Sequence, residues 1–219
     1  DRSELNAYDE VNDKHWDLVI DVSRQPGQVR AAVDVLGGKS SHWTLVSTTS
    51  VYADQSGALT EDSALLDPIE ADVAGPEQYS AGKVGCELAV RALPHHLMVR
   101  AGLIGGPGDR SDRLDYYVSR FALACDGPVL VPMVEDQPVQ VIDVRDLARW
   151  IIRAAEEGVT GVVHGVGEPT TFGELVDTSA AVAGVQGDRV RADRGWLRGH
   201  GVAGGRAPRH RAPGCAQSR

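Results

Sequence analysis

Tyr79-Ser80-Ala81-Gly82-Lys83 sets a phenol and an ammonium four residues apart. On a helix that spacing puts the two side chains one above the other on one face. A neighbouring ammonium favours the phenolate over the phenol, which makes the oxygen a usable acid/base group near neutral pH. The same pair on a solvated helix face would be an ordinary surface feature. With 5 Tyr and 3 Lys in 219 residues, random placement gives about 0.07 such pairs, so the spacing is informative but not decisive by itself. Upstream, Ser47-Thr48-Thr49-Ser50-Val51-Tyr52 gathers five hydroxyl side chains, four of them Ser or Thr, that could hydrogen-bond a substrate oxygen.

Bulk properties restrict what surrounds these residues. The length, with 42% hydrophobic and 24% charged residues, suits a globular domain with a real core. A net charge of −9 argues against a nucleic-acid partner. No run approaches the ~18 apolar residues of a membrane span. The first residues lack the charged-then-apolar pattern of a secretory signal. Cys86, Cys125 and Cys215 form neither a metal spacing nor a disulfide framework. The expectation is a cytoplasmic protein. His95-His96 is not expected to hold a metal, because adjacent strand residues point to opposite faces and no acidic or cysteine cluster supports them.

The hydrophobic pattern supplies the scaffold. Short apolar runs at 17–22, 42–51, 97–100 and 161–166 read as buried strands, and 129–132 and 139–142 as two more. Helical spacing falls at 28–36, 78–93, 115–125 and 143–157. Cys86, Leu88, Ala89 and Leu93 are expected to face the core from the second of these. Thr171 and Glu174 stand at capping-box spacing before a last helix through Ala183. Strand and helix alternate, which predicts an α/β, Rossmann-like, doubly wound parallel sheet. The acidic, Gly- and Pro-containing stretch 53–77 is a long loop of the kind that usually serves function. From 188 to 219 the composition shifts to Arg, Gly and Pro, with a net charge of +6. That segment is expected to be a disordered tail.

In such sheets ligands bind outside the carboxyl ends of the strands. Val22-Ser23-Arg24, Thr48 to Tyr52, and Ala101 to Ile104 end three strands, and Tyr79 begins the helix between two of them. The segment 17–183 resembles the extended short-chain dehydrogenases/reductases, the NAD-dependent epimerase/dehydratase group. Tyr79 and Lys83 match its Tyr-x-x-x-Lys motif, and Ser47 to Ala53 its hydroxyl-rich strand end. Thr60-Glu61-Asp62 with Pro68 matches the loop before that motif. Arg100 to Gly108 and Val141 to Ala148 match two later segments.

The resemblance implies hydride transfer between NAD or NADP and a carbinol or carbonyl carbon of a small-molecule substrate. Tyr79 would be the acid/base, Lys83 would hold the ribose hydroxyls, and Thr48, four before Tyr52, would hydrogen-bond the substrate oxygen. Ser47 and Thr49 offer neighbouring hydroxyls. Asp1, Val22, Ser23, Arg24, Lys83, Gly102, Leu103 and Ile104 would meet the cofactor. Arg110, Arg113, Tyr116 and Tyr117 would meet substrate, in a small C-terminal portion whose segments lie mainly after 105. A homodimer is compatible with the resemblance. One departure stands out: the family's Gly-x-x-Gly-x-x-Gly turn, which receives the pyrophosphate, is absent. The expectation is a Rossmann-like domain over 1–187, incomplete at its N-terminus. A non-catalytic nucleotide-binding protein, or an inactive fragment of such an enzyme, is the alternative. Asp21 also stands where the family commonly has His.

Overall fold

The computed structural model describes residues 2, 4, 6–109, 111, 113–125, 127–185 and 188–202. In chain order the elements are β1 (Trp16–Asp21), α1 (Pro26–Leu36), β2 (Ser40–Thr48), α2 (Tyr79–Arg91), β3 (His96–Ala101), β4 (Leu103–Gly105) and α3 (Asp115–Ala124). There follow β5 (Val129–Pro132), β6 (Pro138–Asp143), α4 (Val144–Glu156), β7 (Gly161–Gly165), β8 (Pro169–Thr171), α5 (Phe172–Ala183), β9 (Arg189–Ala192) and α6 (Arg194–Gly199). They form two compact units, one of residues 1–104 and 142–167, the other of 105–141 and 168–219.

The first unit is built on a parallel sheet in the order β1-β2-β3-β7. Alternation along each strand sends side chains to two faces. Trp43 and Leu45 of β2 and Met98 of β3 join Val29, Ala32 and Leu36 of α1 and Cys86 and Val90 of α2 in one apolar cluster. Leu97, Val99 and Ala101 of β3 point the other way, onto Leu147, Ile151 and Ala154 of α4. Helices therefore cover both faces, as expected for a doubly wound sheet. Local chemistry sets the helix ends. Pro26 opens α1, where its missing N–H loses nothing, and the Asp143 carboxylate caps α4 by accepting from the Arg145 amide.

Two local expectations are corrected. The second strand does not run to Val51: it stops at Thr48, whose hydroxyl accepts from the Ser50 amide and starts a 3-10 turn over Thr49–Val51. Leu88 is 46% exposed rather than buried, while Lys83 and Glu87 face inward in α2. Propensity scales place charged side chains outside, but these two find buried partners, described below.

Cys86 has no solvent exposure, and burial pushes its thiol up to about 11 from 9.0. A folded-state value above the unfolded one favours the fold while the thiol stays protonated. That contribution is complete below pH 9.0 and is lost as pH rises through about 11. Cys86→Ala is expected to flatten the fall in stability across this window, read from urea midpoints at stepped pH.

The second unit has its own core: Tyr117 and Phe121 of α3, Val129 and Val131 of β5, and Val176 and Ala180 of α5. β5 pairs in parallel with β9, and the first residues of β6 pair antiparallel with β8. The capping box at Thr171 and Glu174 forms as its spacing predicts, and α5 ends on Gly184 with φ +71°. Structure continues past 188, against the expectation of a tail starting there. Pairing with β5 and the Asp193 cap on the Trp196 amide order this stretch as β9 and α6. Residues 203–219 lie outside the described residues.

Candidate active site

The hydroxyl-rich strand end, the Tyr79–Lys83 turn and the Ser23–Arg24 segment meet at the carboxyl edge of the first unit's sheet. β2 delivers Thr48 to that edge, in register with Ala101 of β3, which itself pairs with Gly165 of β7. α2 begins at Tyr79, directly after a 3-10 turn over Pro76–Gln78. Tyr79 is 37% exposed, and Lys83, one turn on, is buried.

The Lys83 ammonium donates to the Ser23 carbonyl at 2.8 Å and to the Val46 carbonyl at 2.6 Å. It thereby joins α2 to the ends of β1 and β2. Burial lowers its pKa, against the pull of Cys86, Asp21 and Glu87 toward higher values. An ammonium has three N–H donors, so among the described residues one is left for another acceptor. The expected pairing of this charge with Tyr79 is thus not its main engagement. Among the described residues no hydrogen bond joins Thr48 to Tyr79 either. The Thr48 hydroxyl is 3.2 Å from both the Ser50 amide and the Ser50 hydroxyl.

Ser47 is excluded as a free hydroxyl. It is buried and donates to the Glu87 carboxylate at 2.6 Å. Thr48 is half-buried at the edge. Of the proposed cofactor contacts, Val22 is exposed, Ser23 is fixed by its amide bond to Asp21 and its hydroxyl bond to Gln28, and the Arg24 backbone passes beside Gly82. Gly102 follows the Thr48–Ala101 row and donates its amide to the Gly165 carbonyl. Ile104 packs into the α4 cluster. Leu103 is half-buried in β4, and Asp1 lies outside the described residues.

Gly82 and Gly85 admit the long loop to α2. A Cβ on Gly82 would stand 2.6 Å from the Ala74 Cβ, and one on Gly85 would stand 3.0 Å from the Ile69 carbonyl oxygen. Gly82→Ala is therefore expected to destabilise the chain by about 1–3 kcal/mol despite the better helix propensity of Ala. Denaturant unfolding with an unchanged m-value checks this.

Asp21 at the end of β1 is paired. The Arg2 guanidinium grips it through two bonds of 2.8 and 2.9 Å, and the Ser23 amide adds a third. Sequence reasoning also missed Glu87, although it continues the four-residue spacing from Tyr79 and Lys83. Two tyrosines and an arginine read as substrate contacts lie in the second unit. Tyr117 is a core residue stacked edge-on against Phe172, with its phenol pushed up to about 12 by burial. Tyr116 packs against the same core, and Arg113 bonds the Ser111 hydroxyl. Arg110 is outside the described residues. Among the described residues, no three His, Cys, Asp or Glu side chains group to hold a metal, and no helix is long and apolar enough to cross a membrane.

No protein-family model and no curated protein matches the sequence. Solved structures do. UDP-N-acetylglucosamine 4-epimerase from Bacillus cereus superposes with a TM-score of 0.63 at 16% identity, over 84% of this chain and 69% of its own. UDP-glucuronic acid 4-epimerase from Bacillus cereus, solved with NAD, gives 0.59 at 18% identity, over 76% of this chain and 54% of its own. RMD from Pseudomonas aeruginosa, solved with NADPH, gives 0.60 at 18% identity, over 81% and 68%. The chain thus spans little more than half of the second protein and about two thirds of the others. At these identities the likeness is one of fold: the chain has the Rossmann-like α/β fold of these epimerases and their related reductases.

Proposed function

We propose that the chain carries the acid/base site of an NAD(P)-dependent oxidoreductase or sugar-nucleotide epimerase/dehydratase acting at a carbinol or carbonyl carbon. The observation that carries this reading is Lys83, held by the Ser23 and Val46 carbonyls with one donor unused among the described residues, one helical turn from the exposed phenol of Tyr79. The residues fit the nicotinamide end of the cofactor. The spare Lys83 donor suits a ribose hydroxyl, and the Val22–Arg24 backbone and Gly102 border the same edge. They do not fit the pyrophosphate as well, because the β1–α1 connection here, Val22-Ser23-Arg24-Gln25, contains no glycine.

When bound, the nicotinamide supplies or accepts the hydride. Tyr79 gives its phenolic proton to the nascent alkoxide oxygen, or takes the proton from the alcohol. Lys83, held by the Ser23 and Val46 carbonyls, stands one helical turn from that oxygen. Thr48 donates a hydrogen bond to the same substrate oxygen, which requires its hydroxyl to turn from Ser50. Nucleotide-sugar substrates are the proposed class, since the epimerases that share the fold act on them by name.

Calorimetry tests this, with NAD and with NADP, on the chain and on a version extended by an N-terminal βαβ unit with a glycine-rich turn. The extended protein is expected to bind at least one of them. No binding to either form overturns the reading. The second reading is a non-catalytic nucleotide-binding protein on the same fold, which predicts that the extended form binds cofactor without turning over substrate.

A further inference from the structure

Beneath the candidate site lies a sealed polar layer. Ser47 of β2 pairs in register with Arg100 of β3, and Arg100 with His164 of β7. Glu87 of α2 reaches into this row. Arg100 donates to it through Nε at 3.1 Å and a terminal nitrogen at 2.8 Å, and the Ser47 hydroxyl donates to the same carboxylate at 2.6 Å. The other Arg100 terminal nitrogen donates to the Tyr52 hydroxyl at 2.9 Å and to the Glu61 carbonyl at 2.8 Å. Tyr52 lies 2.5 Å from His164 Nε2, and the His164 amide donates to the Glu61 carboxylate. Tyr52 thus bridges the guanidinium of Arg100 and the imidazole of His164. Glu87 is 0% and Arg100 2% exposed.

Stability alone does not account for such a pair. Taking two charges out of water is costly, and apolar residues of similar volume are often as stable or more so. What the pair supplies is register. A bidentate fork meets a carboxylate in one geometry, and only one placement of α2 over β2 and β3 satisfies Arg100 and Ser47 together. Ser47 immediately precedes Thr48, and Glu87 stands one turn beyond Lys83 and two beyond Tyr79. We propose that Glu87 and Arg100 are positioning residues of the acid/base site: they lock α2 against the end of β2 and so set Tyr79 and Lys83 relative to Thr48. This rests on reading those three as the site.

The test uses the chain itself and needs neither substrate nor cofactor. The double variant Glu87→Met/Arg100→Met removes both charges with little change of volume. Trace acetylation with acetic anhydride, read by peptide mass spectrometry, reports how firmly Lys83 is held, with Lys14 and Lys39 as internal references. The double variant is expected to keep a thermal midpoint near that of the parent, yet Lys83 should label about tenfold faster relative to the references, as local opening would allow. The charge-keeping Arg100→Lys, which lacks the fork, is expected not to restore protection. Parent-like Lys83 labelling in the folded double variant would overturn the proposal. If that variant does not fold, the isosteric Glu87→Gln is judged by the same criterion at a temperature below its midpoint. A failure to bind nicotinamide cofactor removes the oxidoreductase reading but leaves the labelling result unaffected, so the two failures are distinct.

Discussion

Tyr79→Phe is expected to lower turnover by about 10²–10⁴-fold in any form of the protein that turns over, with cofactor affinity unchanged. The substitution deletes one oxygen from a side chain 37% exposed at the start of α2. Among the described residues, no hydrogen bond or core contact depends on that oxygen. The fold should be indifferent to its loss, and the thermal midpoint should not move. Nicotinamide absorbance under single-turnover conditions measures the chemical step, and calorimetry measures the affinity. Unchanged turnover would remove the acid/base role from Tyr79. An equal loss of affinity would mean that Tyr79 binds the cofactor rather than moving a proton.

The largest expected effect on stability is at Arg100. Arg100→Met leaves the Glu87 carboxylate buried with Ser47 as its remaining donor, and strips the Tyr52 hydroxyl and the Glu61 carbonyl of a donor. Breaking one partner of a buried pair costs about 3–5 kcal/mol. For a protein of this size that lowers the thermal midpoint by roughly 6–20 °C. The neutral double variant with Glu87→Met should recover most of it, because no charge is left stranded. Calorimetric midpoints of the parent, Arg100→Met, Glu87→Met and the double variant close the cycle. An Arg100→Met midpoint equal to the parent's would show that the pair carries no net stabilisation against its own half.

Much of this was legible in the sequence. β1, α1, β3, α2, α4 and β7 lie within a few residues of their expected places, because buried parallel strands are short apolar runs and their crossover helices carry one apolar face. The Thr171 capping box is local chemistry and appears where its spacing puts it. The candidate triad was equally legible as residue types at a spacing.

Three things were decided only in the tertiary structure. Lys83 and Glu87 turn inward and Leu88 outward because the acceptors and donors that satisfy them, Ser23, Val46, Ser47 and Arg100, come from strands and a strand-end loop up to about sixty residues away; no local pattern announces that. Among the clustered hydroxyls, Ser47 is engaged by Glu87 and Thr48 is left at the edge, a choice made by which face of β2 meets α2. The stretch after 188 gains order from pairing with β5, some sixty residues earlier, against its loop-like composition. Spacing along the chain determines which chemistry can stand on one helix face. Whether a charge there is buried, and what it grips, depends on partners that only folding brings within hydrogen-bond reach.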